Sequence, residues 1–398
     1  MRELAGKLPR SLRYVPQSAR HFGRDDGCGK GGFGRLAGEG ETLGEKSEEL
    51  RTALEAMHLA NGAAVGTWFG CALPDRFGDW RVEYAYLRES VGVVDKNYRA
   101  YLSFTGPDRV RYLNAILTNN IKELAENRGT VSLFLNPQGH IQAEIETYAL
   151  GEELFCVSYA MIRERLIEGL EKYIIMDDVT LSDQTEEYGT LALEGPKAVA
   201  VAGELTGVDL GGLSELESRE VLAGGVPCRV IQRSPGGVGG AEFLVRRGDI
   251  EALWKTVAEG ARRHGGGPAG YVALNVVRLE QRIPWFGYDF GEKQIPHEAG
   301  LQDSHISYTK GCYTGQEIVE RVRSRGQVNR VRVSLRLEGV EGVAANTVLT
   351  VEGKEVGIVT RTGFSPGMDA WIGMGYVRRE RAEVGTKMEV AGGTARVV

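Results

Sequence analysis

The chain has 398 residues, 42% hydrophobic and 26% charged, the make-up of a folded globular protein long enough for two or three domains. Its net charge of −6 and pI near 5.7 argue against a dedicated nucleic-acid binder, leaving any RNA contact local. No stretch approaches the roughly 20 apolar residues of a membrane span, and no signal-peptide core is visible at the N-terminus.

The five cysteines, Cys28, Cys71, Cys156, Cys228 and Cys312, are scattered without a C-x-x-C or a Cys/His cluster. No preformed zinc or all-protein iron–sulfur site is expected from that spacing, and an odd count suits a reducing compartment, so a cytoplasmic location is expected.

Residues 1 to about 44 begin basic and become glycine-rich with little apolar periodicity, which predicts a disordered tail. From Glu45 to Leu59 the pattern is helical, with Leu50, Leu54 and Met57 on one face. Tyr101–Gly106 reads as a strand and turn, and Pro107–Leu117 as a helix with Val110, Leu113 and Ile116 inward. Val131–Leu135, the turn Asn136-Pro137-Gln138-Gly139 and the return His140–Leu150 predict a hairpin. On that return, Glu144 reads by alternation as a solvated strand residue. Pro196 stands at a position suited to the first turn of a helix, and Ala273–Arg282 predicts a further helix.

The stretch Lys310-Gly311-Cys312-Tyr313-Thr314-Gly315-Gln316-Glu317 concentrates the most chemistry. Thr314 and Glu317 read as a capping box, predicting a helix from about Gly315 to just before Gly326. Cys312 would then precede a helix N-terminus where the orphan N–H groups, the dipole and Lys310 favour a thiolate. The alternative is a small buried cysteine beside a surface lysine. Arg321, Arg323, Arg325, Arg330 and Arg332 follow, either as an anion-binding edge or as a solvated helix face leading into an edge strand. Beyond Gly326, short alternating segments at Val328–Leu337, Thr347–Val351, Glu355–Thr360, Ile372–Val377 and Lys387–Val390 predict a small β-barrel.

K-G-C-Y-T-G-Q-E closely resembles the signature of YgfZ-type folate-binding proteins, iron–sulfur cluster assembly factors related to the aminomethyltransferase (T-protein) of the glycine cleavage system. The resemblance extends from about Met57 to Val398. It includes Thr118-Asn119-Asn120 where relatives carry T-N-D, Arg278-Leu279-Glu280, Gly287-Tyr288-Asp289 and Pro296-His297-Glu298-Ala299-Gly300-Leu301. It implies an α+β fold: a tail over 1–44, an aminomethyltransferase-like folate-binding region over 45–326 and a C-terminal β-barrel over 327–398.

The resemblance also implies tetrahydrofolate as cofactor, Cys312 and Lys310 as the functional pair, and Asn119, Glu144, Arg278, Tyr288, Asp289, Gln316, Glu317 and Arg321 as folate-binding residues. Arg278 and Asp289 are equally readable as a structural ion pair. The transferases carry an Asp-Asp pair where this chain has Ala143-Glu144, and a pterin-binding glutamate where it has Val238. The resulting expectation is a monomeric accessory factor that assembles or repairs iron–sulfur client proteins and so supports tRNA modification. A tetrahydrofolate-dependent aminomethyltransferase or other one-carbon transferase is the second reading. An RNA-interaction protein, resting on the arginines, is the third.

Overall fold

The computed structural model describes residues 49–326 and 328–398, so the expected tail lies outside the described residues. Two antiparallel hairpin systems form the body. One sheet runs in the order Gly129–Leu135, Ile141–Leu150, Glu153–Tyr159, Arg99–Thr105, Thr180–Asp183. The other runs Ser218–Ala223, Val226–Gln232, Gly240–Arg246, Tyr188–Glu194, Gly92–Asp95, Gly267–Pro268, its last pair parallel.

Strand alternation divides the first sheet into two unlike faces. Leu102, Phe104, Ala143, Ile145, Leu154 and Cys156 point to a large apolar core with the helices Arg109–Ile116 and Arg163–Glu171. Leu113 and Ile116 lie in that core and Val110 packs against it, as the periodicity predicts. The opposite face carries Arg99, Tyr101, Glu144, Glu146, Tyr148 and Tyr159, and looks toward the second sheet. At one end of this seam Tyr101, Tyr148, Phe155 and Val157 meet Leu216, Ile231 and Leu244 in an apolar cluster.

The C-terminal segments close a six-stranded barrel in the order Arg330–Glu338, Ala370–Arg378, Lys354–Ser365, Val348–Val351, Lys387–Val390, Gly393–Val397. The helix Tyr271–Glu280 docks the barrel on the body: Leu279 packs with Ile372 and Met374, and Asn275 donates to the Thr362 carbonyl at 3.2 Å.

Two local expectations are corrected. Of the helix expected over Glu45–Leu59, the described part, from residue 49, is helical only from Glu55, in the helix Glu55–Ala60. Leu50 instead pairs its N–H with Gly70 O at 3.0 Å and its carbonyl with Ala72 N at 2.9 Å, so hairpin pairing overrides the apolar periodicity. The predicted helix after Gly315 runs Gln316–Arg325, but Gly315 itself is the N-cap, with φ 81°, and no side chain caps it. Glu317 reaches forward to Arg321 at 3.1 Å rather than back, so the capping box does not form.

Candidate functional site

The polar end of the intersheet seam gathers charged side chains away from water. Lys96 pairs with Glu242 at 3.0 Å, and Arg99 bridges Glu242 at 3.1 Å to Glu146 at 3.0 Å. Arg233 comes from the second sheet's side to Glu146 at 3.2 Å. These pairs arise from register: Arg99 lies opposite Tyr159 and Glu146 opposite Val157, which puts all of them on one face. Burial disfavours charge on Glu146, but Arg99 and Arg233 outweigh it and hold the carboxyl far below its ordinary range. A buried network of this kind is stable only when every charge is compensated.

Glu194, at the end of the strand Tyr188–Glu194, lies in the same region. One oxygen accepts from Ser234 Oγ at 3.2 Å and from the Gly236 N–H at 3.3 Å. Its other oxygen is buried without a partner. Burial pushes this carboxyl up to about 8, against the pull of Lys96 and with the help of Glu242.

Glu144 stands at the edge of the network. Tyr159 donates its hydroxyl to Glu144 Oε2 at 2.7 Å, and His305 Nε2 lies 3.0 Å from Oε1. Ser304 Oγ is 2.7 Å from His305 Nδ1. Burial works to raise the Glu144 carboxyl. The His305 contact, the Tyr159 hydroxyl and Arg233 together bring it below its ordinary 4.5. The alternation reading of Glu144 as a solvated side chain is therefore corrected: its side chain is only 16% exposed.

Aromatic rings wall the seam. Phe69 stacks on Tyr98 with centroids 4.1 Å apart, and Tyr98 stacks on Tyr159 at 5.7 Å. Phe69 sits at the tip of the hairpin Ala64–Trp68/Cys71–Arg76 with φ 53°, a conformation disfavoured for a bulky residue. Its N–H donates to the Tyr288 hydroxyl at 2.9 Å, and that contact helps hold the turn in place. A cleft of about 370 Å³ opens beside these rings, lined by Arg51, Gly70, Arg99, Tyr101, Met161 and Arg165 among others.

The structure spreads the sequence-predicted site residues over several places. Glu144 and Tyr288 line or brace the seam. Arg278 and Asp289 form an ion pair with both side chains 0% exposed, and Asp289 also accepts from Thr360 Oγ1 at 2.6 Å and the Trp285 N–H at 2.9 Å. Asn119 is tied to backbone, donating to the Val131 carbonyl at 3.0 Å and accepting from the Asn120 N–H at 2.9 Å. Lys310 sends Nζ to the carbonyls of Asn114, Leu117 and Asn119, at 2.5, 2.5 and 3.1 Å. It thereby caps the end of the helix Arg109–Ile116 and its following turn, and its described hydrogen bonds do not include Cys312. Burial brings its ammonium down to about 8. Cys312, Glu317 and Arg321 are exposed, and Gln316 opens the helix that holds Glu317 and Arg321. Among the described residues no group of His, Cys, Asp and Glu is arranged to hold a metal.

Sequence reading missed Lys96, Arg99, Glu146, Glu194, Arg233, Glu242 and His305. The available signal was charge in largely apolar strands: Glu146 falls inside, and Arg99 opens, a strand that is mostly buried.

Comparison with known proteins fits this architecture. The GCVT N-terminal domain model matches residues 54–305, and the glycine cleavage T-protein C-terminal barrel domain model matches 330–397. The chain belongs to the glycine cleavage T-protein family. It is 28% identical over 338 residues to an aminomethyltransferase of Streptomyces avermitilis, covering 84% of this chain and 91% of the relative. It is 29% identical over 331 residues to one of Rubrobacter xylanophilus, covering 83% and 87%. The crystal structure of the glycine cleavage system aminomethyltransferase T from Bartonella henselae superposes with a TM-score of 0.78 at 23% identity, over 88% of this chain and 96% of that one, which establishes the shared fold. Aminomethyltransferases of this family use tetrahydrofolate. The narrower YgfZ-type assignment has no support in these matches.

The cleft beside the seam is lined by Arg51, Arg99, Arg163 and Arg165, cations that suit the carboxylates of such a ligand.

Proposed function

We propose that the protein is a tetrahydrofolate-dependent one-carbon transferase acting on an aminomethyl-type donor. The observation that carries this reading is the Glu144–His305–Tyr159 constellation at the open edge of the buried charge network. The position of the expected Asp-Asp pair supports it. Ala143 faces the apolar core and is 0% exposed, so the lost carboxylate would have pointed away from the seam, whereas Glu144 retains an acid on the seam side.

Tetrahydrofolate, when bound, supplies the nitrogen that takes up the one-carbon unit. The chain's own residues bind, orient and manage the proton. Glu144 Oε1 takes the proton, His305 relays it from Nε2 through Nδ1 and the exposed Ser304 hydroxyl to solvent, and Tyr159 fixes the other oxygen. The aromatic rings exclude water from the reacting region.

Calorimetric titration with reduced folates, run beside a transfer assay with aminomethylated lipoyl carrier protein, tests the proposal. Glu144→Gln is expected to retain folate binding and lose roughly 10²- to 10⁴-fold in turnover. Binding without any transfer by the wild type would remove the enzyme reading.

A second reading, a folate-binding accessory factor for iron–sulfur protein assembly or repair, is favoured by one observation. Among the described cysteines only Cys312, inside the K-G-C-Y-T-G-Q-E stretch, is exposed. Rescue of iron–sulfur enzyme activity in cells lacking the endogenous factor, lost with Cys312→Ser, would support it. Full rescue by the serine variant would remove the thiol from that reading.

A further inference from the structure

The second sheet has a face turned away from the seam. Alternation along the strand Gly92–Asp95 puts Val94 with Phe69 and Tyr98 of the seam and Val93 under the helix Ile250–Arg263. Asp95 falls on the helix side with Val93. There a cavity of about 490 Å³ opens between this helix and the short helix Glu55–Ala60. Trp254 and Arg262, two turns apart on one helix face, line it with Lys255 and Glu259 beside them, and His58 and Phe77 stand across from them.

His58 is the innermost polar group, 1% exposed. Its Nε2 lies 3.0 Å from Asp95 Oδ2, while Asp95 Oδ1 already accepts the Asn97 N–H at 2.9 Å and the Asn97 side-chain amide at 2.6 Å. The carboxyl therefore takes the Nε2 proton, which fixes the tautomer and leaves Nδ1 as a lone-pair acceptor. Nδ1 makes no hydrogen bond among the described residues. The ring stands edge-on to Phe77 at 5.1 Å and to Trp254 at 4.6 Å, and those two rings stack on each other at 5.8 Å. An acceptor this deep, without a donor and set between aromatic rings, calls for a polar hydrogen from whatever occupies the cavity.

The mouth is charged. Lys255, Glu259 and Arg262 are all exposed, two cations against one acid. Arg262 and Glu259 form no ion pair among the described residues, and Lys255 reaches only Glu251, at 3.9 Å. Neither cation is committed to the fold, so both can turn toward an anion.

We propose that this cavity is a second small-molecule site, taking an aromatic anion that carries a hydroxyl or N–H at the end remote from its charge. The donor end reaches His58 Nδ1, the ring lies against Phe77 and Trp254, and a carboxylate meets Lys255 and Arg262 at the mouth. The sheet stands between this cavity and the seam, so the assignment is independent of the folate reading.

Titration of the full chain with para-hydroxyphenylpropionate tests it, read by calorimetry and by the indole N–H resonances of the five tryptophans. The Trp254 resonance, assigned through Trp254→Phe, should move toward saturation, while those of Trp68 and Trp285, in the aromatic cluster with Phe69, stay in place. Phenylpropionate, which lacks the donor, should bind the wild type roughly three- to tenfold more weakly, and His58→Leu should bind the two probes alike. Para-hydroxyphenylpropionamide, which lacks the charge, should lose roughly two- to fivefold on the wild type. It should lose nothing on the double variant Lys255→Gln/Arg262→Gln, whose two positions are exposed. The two analogues on the wild type decide the matter even if His58→Leu fails to fold. Absence of saturable binding of the parent probe at millimolar concentration overturns the site. So does a shift confined to Trp68 or Trp285, or equal wild-type affinity for all three probes.

Discussion

Gly315 is pressed against Gly139: a Cβ built on Gly315 would lie 3.3 Å from the Gly139 Cα and 2.7 Å from the Asn136 carbonyl oxygen. The start of the helix Gln316–Arg325 is thereby seated on the turn of the hairpin that carries Glu144. Gly315 also has φ 81°, so a side chain there meets both backbone strain and a steric clash. Gly315→Ala should cost roughly 2 to 4 kcal/mol in urea unfolding. Gly326, at the other end of the helix, has φ 66° with nothing within 4 Å, so Gly326→Ala should cost only about 1 kcal/mol. Equal losses would show that the contact with the hairpin turn is worth nothing.

Asp289 anchors the turn that follows the helix Tyr271–Glu280, and with Arg278 it forms the most deeply buried ion pair described. Asp289→Ala leaves the guanidinium, the Thr360 hydroxyl and the Trp285 N–H without their acceptor, and should destabilise by about 3 to 5 kcal/mol. Replacing both partners with apolar residues of similar volume should recover much of that loss. A loss confined to folate affinity, with unfolding unchanged, would instead make the pair a ligand-binding element.

Lys310 serves three carbonyls at one point, a geometry suited to a tetrahedral ammonium rather than a planar guanidinium. Lys310→Met and Lys310→Arg should both destabilise, the former by about 1 to 3 kcal/mol. Burial places its folded-state value near 8, below the ordinary 10.5. The folded chain therefore binds fewer protons than the unfolded chain between those values, and this group's contribution rises with pH across that window. The deficit of Lys310→Met relative to wild type should accordingly widen from pH 8 to 10.5. A deficit that narrows over that range would contradict the assignment.

The elements that sequence made legible were those whose apolar period survives folding. The helix Arg109–Ile116, the hairpin after Gly129 and the barrel strands all bury one regular stripe, so pattern and structure agree. Leu50 fails because its backbone pairs with a neighbouring hairpin, a contact invisible in local periodicity. The site was least legible for a related reason. Arg99, Glu146, Glu194 and Glu242 lie on four different strands and Lys96 just past the end of a fifth, and only the pairing of those strands brings them together. Each alone reads as an exposed strand charge. The Lys310–Glu317 stretch is rich in reactive residue types, yet its lysine and Tyr313 are spent on packing, while the acids of the seam carry no local signal in the sequence.

Cysteine chemistry separates by burial. Burial pushes Cys71 and Cys156 up to about 12 and Cys228 to about 11, whereas Cys312 is exposed. Site-resolved alkylation of the native protein at pH 8 should label Cys312 ahead of these three by roughly tenfold or more. Because the described hydrogen bonds of Lys310 go to carbonyls, Lys310→Met should leave the Cys312 labelling rate within about twofold of wild type, provided the variant remains folded. A much slower rate would restore an electrostatic link between the two.

Glu144 ties stability to the proposed chemistry through pH. Its folded-state carboxyl lies below the ordinary 4.5, because the His305 contact, Tyr159 and Arg233 outweigh burial. A depressed carboxyl contributes stability that is fully present above the unfolded value and is lost as pH falls through the folded one. Wild type should therefore exceed Glu144→Gln in stability at neutral pH, with the gap closing below about pH 4.5. His305→Ala should remove part of the same gap and, if His305 passes the proton, should also lower turnover without weakening folate binding. Arg233→Met should weaken the network at Glu146 as well, so its loss should exceed that of His305→Ala. Chemical denaturation from pH 3 to 8, paired with turnover on the same four proteins, reads both effects. A stability gap that stays constant across the range would mean that Glu144 is not held as an anion in the fold, and the acid–base role proposed for it would fall with that result.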